Sequence, residues 1–199
     1  MRNSTFSGND NSAIRDDKGV LTVINSTFSG NGGISTIATL EPLTFKNTIV
    51  EDPRGTRNCY FFPIDLFNSD YNIFSDNSCS SGSGGHSLYN TDTKLGPLAD
   101  NGGPTKTLAL LSGSPAIDKG NDAFAVDTDG KPLRFDQRGE GFARIVGCAV
   151  DIGAFERQAL VSRPPGEPED KQACKEGGYE GLGFGNQGQC VKSANHASR

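Results

Sequence analysis

One stretch of the chain repeats on itself at a constant spacing, and this limits the possible folds more than any other feature. Leu21-Thr22-Val23-Ile24-Asn25-Ser26-Thr27-Phe28 lies over Leu43-Thr44-Phe45-Lys46-Asn47-Thr48-Ile49-Val50, with Asn25 falling on Asn47, an offset of 22 residues. A further step back places Asn3-Ser4-Thr5-Phe6 under Asn25-Ser26-Thr27-Phe28, and Ser7-Gly8-Asn9 under Ser29-Gly30-Asn31. Three copies at one period are the signature of a repeat architecture.

The period selects the kind of repeat. It is too short for a two-helix repeat or a propeller blade, and the Leu-x-x-Leu-x-Leu spacing of a leucine-rich repeat is missing. Leu21 and Val23 alternate as strand residues do, and β-branched residues recur around them. Three short strands at about 3.3 Å per residue, joined by three turns, use up one period, and parallel coils then stack about 4.8 Å apart. Asn tolerates left-handed backbone and can hydrogen-bond to the Asn one coil away, so Asn3, Asn25 and Asn47 are expected to form a ladder at one corner. The expectation for residues 1–85 is therefore an all-β, right-handed parallel β-helix of about four coils. An irregular fourth coil is placed over Phe61 to Ile73, where Leu66-Phe67-Asn68-Ser69 and Asn72-Ile73-Phe74 echo the motif at shifted spacing. Asp52-Pro53-Arg54-Gly55-Thr56-Arg57 reads as a loop leaving one corner, and Ser80-Ser81-Gly82-Ser83-Gly84-Gly85 as a linker.

Composition agrees. With 26 Gly, 10 Pro, no Trp and 34% hydrophobic residues, the chain is too rich in turn formers for a helical protein. Its formal net charge of −5 argues against nucleic acid or an anionic membrane as the main partner. No stretch approaches the roughly 18 apolar residues of a membrane helix. The chain opens inside its own repeat with no export signal before it, so upstream β-helix coils are expected as a partner and the chain is read as a fragment.

Of the five cysteines, Cys59 and Cys79 have a spacing suited to a disulfide across the last coil, and Cys174 and Cys190 to a staple in the tail; Cys148 is left over. A closed loop of about 20 residues stabilises by roughly 3 kcal/mol. No C-x-x-C occurs, so a zinc ribbon or thioredoxin-like motif is unsupported. Disulfides place a protein outside the cytosol.

From Leu95 onward the texture changes. Gly96-Pro97-Leu98 and Asn101-Gly102-Gly103-Pro104-Thr105 are dense in turn residues. Ser114-Pro115-Ala116-Ile117-Asp118 reads as a helix start of one turn, Asp127-Thr128-Asp129-Gly130 as a hairpin turn, and Val150 to Glu156 as a final strand. These motifs, followed in order by Gly113-Ser114-Pro115-Ala116-Ile117-Asp118, Asp136-Gln137-Arg138-Gly139 and Asp151-Ile152-Gly153-Ala154-Phe155-Glu156, resemble the C-terminal region of bacterial surface β-helix proteins of the choice-of-anchor Q type, akin to polymorphic outer-membrane-like repeat proteins. The resemblance covers residues 1 to about 157 and implies export and surface attachment, with no defined molecular activity. The chain departs from that pattern in lacking the N-terminal coils, the export signal and an anchor after Glu156. In their place stand a Pro-rich acidic linker over 158–173 and a cysteine-flanked tail over 174–199, similar to tailpieces of exported bacterial proteins. Residues 86–157 are expected to form a β cap region.

Candidate chemistry concentrates in Asp118, Asp136, Arg138, Asp151 and Glu156. A carboxylate-lined calcium or glycan site is one reading. The preferred one is a salt-bridged cap closing the β-helix end, with Arg138 paired to carboxylates and Asp151 holding loop amides. Asp127-x-Asp129-Gly130 begins like a calcium loop, but its twelfth position is Arg138 and not Glu. Asp16-Asp17 resembles the paired Asp of β-helix polygalacturonases, whose Gly-His-Gly and Arg-Ile-Lys motifs are missing here. His86 has no acid or nucleophile near it in sequence. Asn3-Ser4-Thr5 and Asn25-Ser26-Thr27 match the glycosylation sequon, although the Asn ladder accounts for them more simply. No catalytic residue, metal or cofactor is expected. The leading expectation is a non-catalytic extracellular or cell-surface scaffold (a stalk, adhesin or glycan-contacting surface) whose partners are surface glycans or other cell-surface components. The alternatives are a fragment of a pectate-lyase-like polysaccharide lyase or glycoside hydrolase, which fold analogy alone supports, and a degenerate fragment with no function of its own.

Overall fold

A computed structural model describes residues 1–158 except Asp17, 62–66 and 81–84. The Cys174–Cys190 staple, the tail, the linker beyond residue 158 and most of the Ser80–Gly85 tract lie outside the described residues. The described chain is all-β, and its one assigned helical segment is a 3-10 turn at Asp122–Phe124.

Ten strands, β1 (Thr5–Ser7), β2 (Ile14–Asp16), β3 (Leu21–Ile24), β4 (Thr27–Ser29), β5 (Ser35–Thr39), β6 (Leu43–Lys46), β7 (Ile49–Glu51), β8 (Arg57–Phe61), β9 (Phe67–Asp70) and β10 (Ile73–Phe74), enter three parallel sheets in rotation. The first sheet has the order β1-β4-β7-β10, the second β2-β5-β8 and the third β3-β6-β9. The 22-residue offset is the register of most pairings: Phe6 pairs with Phe28, Leu21 with Leu43, and Ile37 with Cys59, while β2 meets β5 one residue further along, Ile14 with Ile37. In the last circuit Leu43 pairs with Phe67 and Ile49 with Ile73, an offset of 24 that accounts for the shifted spacing in the sequence.

Strand alternation sends one set of side chains inward. Phe28, Val50 and Phe74 of the first sheet join Val23, Phe45, Ile37 and Cys59 in one buried cluster, and the Phe6 and Phe28 rings stack at 4.8 Å. Each large side chain of this kind contributes about 1.5–3 kcal/mol on burial. Tyr89 stacks on Phe74 at 5.3 Å, and Leu88 exchanges backbone hydrogen bonds with Asn72 and Phe74. Residues 87–91 therefore cover the last circuit. The Cys59–Cys79 disulfide is formed within this core, and Ser78 Oγ accepts a hydrogen bond from the amide of Cys59.

The outward set on the first sheet is also covered. Ile49 and Ile73 are fully buried against Leu110, Ala116, Ile152 and Phe155. The hairpin of β11 (Leu95–Ala99) and β12 (Thr107–Leu110) begins this second layer. The remainder, 111–158, crosses circuit after circuit: Phe135 meets Asn3, Phe124 meets Asn25, and Asn121 meets Asn47. Of the region expected to close the end of the stack, 87–91 cover the last circuit and 111–158 run along its side, over the Asn-bearing corner.

Of two local expectations, one is met and one is not. Ser114–Asp118 makes the single capped turn expected: Ser114 Oγ accepts from Ala116 N, and Asp118 then enters the left-handed region at φ +53°. Val150–Glu156 is no strand, although Val150, Ile152 and Ala154 are buried. Gly153 sits at φ +109°, where a Cβ would come within 2.7 Å of Thr27 Oγ1, so the chain bends there to follow the sheet surface closely.

Candidate functional site

The corner asparagines come first because they hold the side layer in place. Asn3, Asn25 and Asn47 have φ of +46°, +47° and +48°, which Asn tolerates better than any other residue except Gly. Asn47 Nδ2 donates to Asn25 Oδ1 at 3.0 Å, forming one rung of a ladder. The same amide group donates to Asn121 O at 2.9 Å, and Asn47 Oδ1 accepts from Asn121 N at 2.8 Å. Asn25 Nδ2 donates to Phe124 O and Asn3 Nδ2 to Phe135 O. All three amides therefore bind the side layer, but the expected ladder has its rung only between Asn25 and Asn47: Asn3 Oδ1 is buried without a hydrogen bond. A second rung, anticipated only as a sequence match, joins Asn9 Nδ2 to Asn31 Oδ1 at 2.6 Å.

The charged cluster lies in that side layer and is built inward. Asp136 and Arg138 form a buried pair, with Arg138 Nη2 donating to Asp136 Oδ2 at 2.7 Å and Nε at 3.0 Å. The guanidinium lies between the Phe142 and Phe155 rings, 4.0 and 3.9 Å from their centroids. This stacking suits Arg in particular, because its charge is planar and weakly hydrated. Its Nη2 also donates to Glu156 O, while Asp136 Oδ2 accepts from Glu156 N at 2.8 Å.

Asp151 and Glu156 are fully buried and engaged with backbone amides. Asp151 accepts from Asp118 N and from Arg157 N, each at 2.7 Å. Glu156 accepts from Val146 N and from Asp151 N, each at 2.9 Å. Burial pushes the Asp151 carboxyl up to about 7 against the pull of those two amides. Burial also holds Glu156 well above the usual carboxylate range, and the Asp151 charge adds to the effect. Asp118 is raised by burial, with the amides of Cys148 and Ala149 on its Oδ1 acting in the opposite direction.

Sequence reasoning missed Arg144, which is fully buried beneath this cluster. Its Nη2 donates to Asp151 O at 2.6 Å and lies 3.6 Å from Glu156 Oε2. One signal pointed to it: four carboxylates in the motifs had only Arg138 to balance them. His86 is exposed on a turn, as a solvated histidine would be, but an acid far from it in sequence is near in space. Its Nδ1 lies 3.0 Å from Asp70 Oδ1 and its ring stacks on Tyr71 at 4.4 Å, so an acid does stand beside it in space. The Ser87 hydroxyl bonds to Ser69 and Asn72 and not to that imidazole, which leaves no nucleophile–base pair in the arrangement.

Asp127 Oδ1 accepts from Asp129 N and Lys131 N, as in an Asp-headed turn. Among the described residues, no group of three or more His, Cys, Asp or Glu is placed to hold a metal ion, and no helix is long and apolar enough to cross a membrane. Cys148 is buried. No family model matches the chain, and no curated protein or solved structure does so either.

Proposed function

We propose that this chain is part of an exported, cell-surface, right-handed parallel β-helix of the choice-of-anchor Q kind that works as a non-catalytic scaffold: a stalk, adhesin or glycan-contacting surface. The observation that carries the reading is the rotation of strands through three parallel sheets in 22-residue register. Crossovers between parallel strands of one sheet are right-handed almost without exception, which supports the winding. The buried Cys59–Cys79 bridge supports an oxidising compartment.

A non-catalytic role is supported by the charged cluster itself. The carboxylates of Asp136, Asp151 and Glu156 face backbone amides and arginines in a packed interior, so substrate could reach them only through unfolding. Mass-spectrometric thiol mapping of the protein taken from surface and cytosolic fractions of its own cells tests export. Blocked Cys59 and Cys79 in the surface fraction are expected; a reduced, cytosolic protein refutes it. Uronate release from acidic polysaccharides, with and without calcium, tests the non-catalytic role, and sustained turnover refutes that.

A further inference from the structure

The second sheet turns large apolar side chains to water. Ile14, Ile37 and Cys59 of β2, β5 and β8 point toward the core, so Arg15, Ala38 and Tyr60, which follow them and are partners in register, point outward. The outer face of the first sheet is covered by the side layer, and that of the third carries Thr44, Lys46, Asn68 and Asp70. On the second sheet Tyr60 is 50% exposed, and Ile34 and Leu40, on either side of β5, are 74% and 53% exposed. Apolar side chains gathered on one face and rimmed by polar ones mark a binding site.

These residues line an open groove of about 450 Å³, within the range of small-ligand sites. Ala38 forms its floor, between Arg15 and Tyr60, and Asn11 and Ser12 bring an amide and a hydroxyl to the rim. Because β5 lies between β2 and β8, the Arg15 and Tyr60 rows are two strand spacings apart, about 9.6 Å. A helix, about 10–12 Å across, is too wide to enter. A peptide strand would find no backbone partner, since β5 is already paired on both sides. One ring in van der Waals contact on both faces needs about 7–8 Å, so a single sugar ring fits between the rows. Among the described residues Arg15 is the one charged group lining the groove; the carboxylate of Asp16 does not line it and accepts from the amide of Lys18. Charge complementarity therefore calls for an anion.

We infer that this groove binds a uronate ring of an acidic polysaccharide, with the ring against Tyr60 and its carboxylate on Arg15. The C–H groups on one face of a pyranose carry partial positive charge and suit the negative face of the tyrosine ring. A carboxylate attached directly to that ring stays within the slot, where a guanidinium donates two parallel hydrogen bonds to it. Arg15 also has a partner within the protein, and the five N–H donors of a guanidinium serve both. With one stacked ring and one charge pair at a solvent-facing site, a Kd on the order of 0.1–1 mM is expected. The inference rests on the glycan-contacting form of the scaffold reading and names its site and sugar class.

The test is NMR titration of the ¹⁵N-labelled full chain with tetragalacturonate, cellotetraose and sodium acetate, all in EDTA. Saturable shifts at the amides of 11–15, 33–40 and 59–60 are expected from tetragalacturonate. Cellotetraose should bind at least about tenfold more weakly, and acetate at the same carboxylate concentration should give no saturable shift there. Arg15→Gln and Tyr60→Ala should each weaken binding at least about fivefold, Tyr60→Phe by no more than about twofold, and Ala38→Leu, which fills the floor, should abolish it. All three positions face outward, so the urea midpoints are expected to stay near the wild type, which separates lost binding from lost folding. Wild-type affinity in Arg15→Gln or Tyr60→Ala, equal binding of cellotetraose, a saturable response to acetate, or no shift in this groove overturns the inference. Shifts confined to another surface refute this groove while the scaffold reading stands; turnover of the tetraose refutes the non-catalytic reading and leaves the groove in place.

Discussion

Replacing Asn47 by Ala tests whether the repeating asparagines act mainly as a ladder or as the attachment of the side layer. The change removes three side-chain hydrogen bonds, to Asn25 Oδ1, Asn121 O and Asn121 N, all around a fully buried residue. Each bond contributes about 1 kcal/mol net, and more where a buried partner is left unsatisfied. Water has little room to replace them, because a Cβ on Gly120 would lie 3.1 Å from Asn47 Oδ1 and 2.6 Å from Val150 Cγ1. Holding Ala at φ +48° adds roughly 1 kcal/mol, for a total of about 3–6 kcal/mol. Asn47→Gly removes the backbone strain and should be about 1 kcal/mol more stable than Asn47→Ala. Asn3→Ala is the control: the same φ, but one bond, to Phe135 O, at a half-exposed position, so a loss of about 1–2 kcal/mol. Urea unfolding followed by far-UV circular dichroism at fixed pH gives all three values, provided the m-values agree. If Asn47→Ala costs no more than Asn3→Ala, the side layer is not held through these amides. If the Gly and Ala variants of Asn47 coincide, the left-handed backbone is not what favours Asn there.

The disulfide should be worth about 3 kcal/mol by loop closure over its 20-residue separation; comparing urea midpoints of the wild type and the Cys59→Ala/Cys79→Ala variant measures it. Asp151 gives a pH signature. Its folded carboxyl is raised from 3.8 to about 7, so between those values the folded state retains a proton the unfolded chain has released, and stability falls as pH rises through the window. The stabilisation is fully present below the lower value and lost above the upper one. Asp151→Asn should therefore show a shallower decline in urea-derived stability across that window than the wild type, and parallel curves would refute the assignment. Gly153→Ala sets a Cβ 2.7 Å from Thr27 Oγ1 and 3.0 Å from Ile49 Cδ1 at a φ hostile to L residues; a loss of about 2 kcal/mol or more in thermal or urea unfolding is expected.

The circuits were legible because their information is local and periodic. An offset of 22 residues in the sequence is the same quantity as the sheet register, and an Asn at a fixed phase marks the same corner each time. The side layer was not legible, for a reason visible in one segment. Val150, Ile152 and Ala154 alternate as strand residues do, yet their backbone groups have no neighbouring strand as partner. Val150 N bonds to Asp122 Oδ1, Ile152 N to Ala116 O, Ala154 N to Thr27 Oγ1, and Glu156 N to Asp136 Oδ2. Partners 20 to 127 residues distant leave no periodic trace. The carboxylates that looked most like chemistry in the sequence, Asp118, Asp136, Asp151 and Glu156, each accept from backbone amides of this layer. Asp52 read there as part of a loop, yet among the described residues its Oδ2 is a carboxylate oxygen buried without a hydrogen bond. A carboxylate whose oxygens already meet amides belongs to the fold.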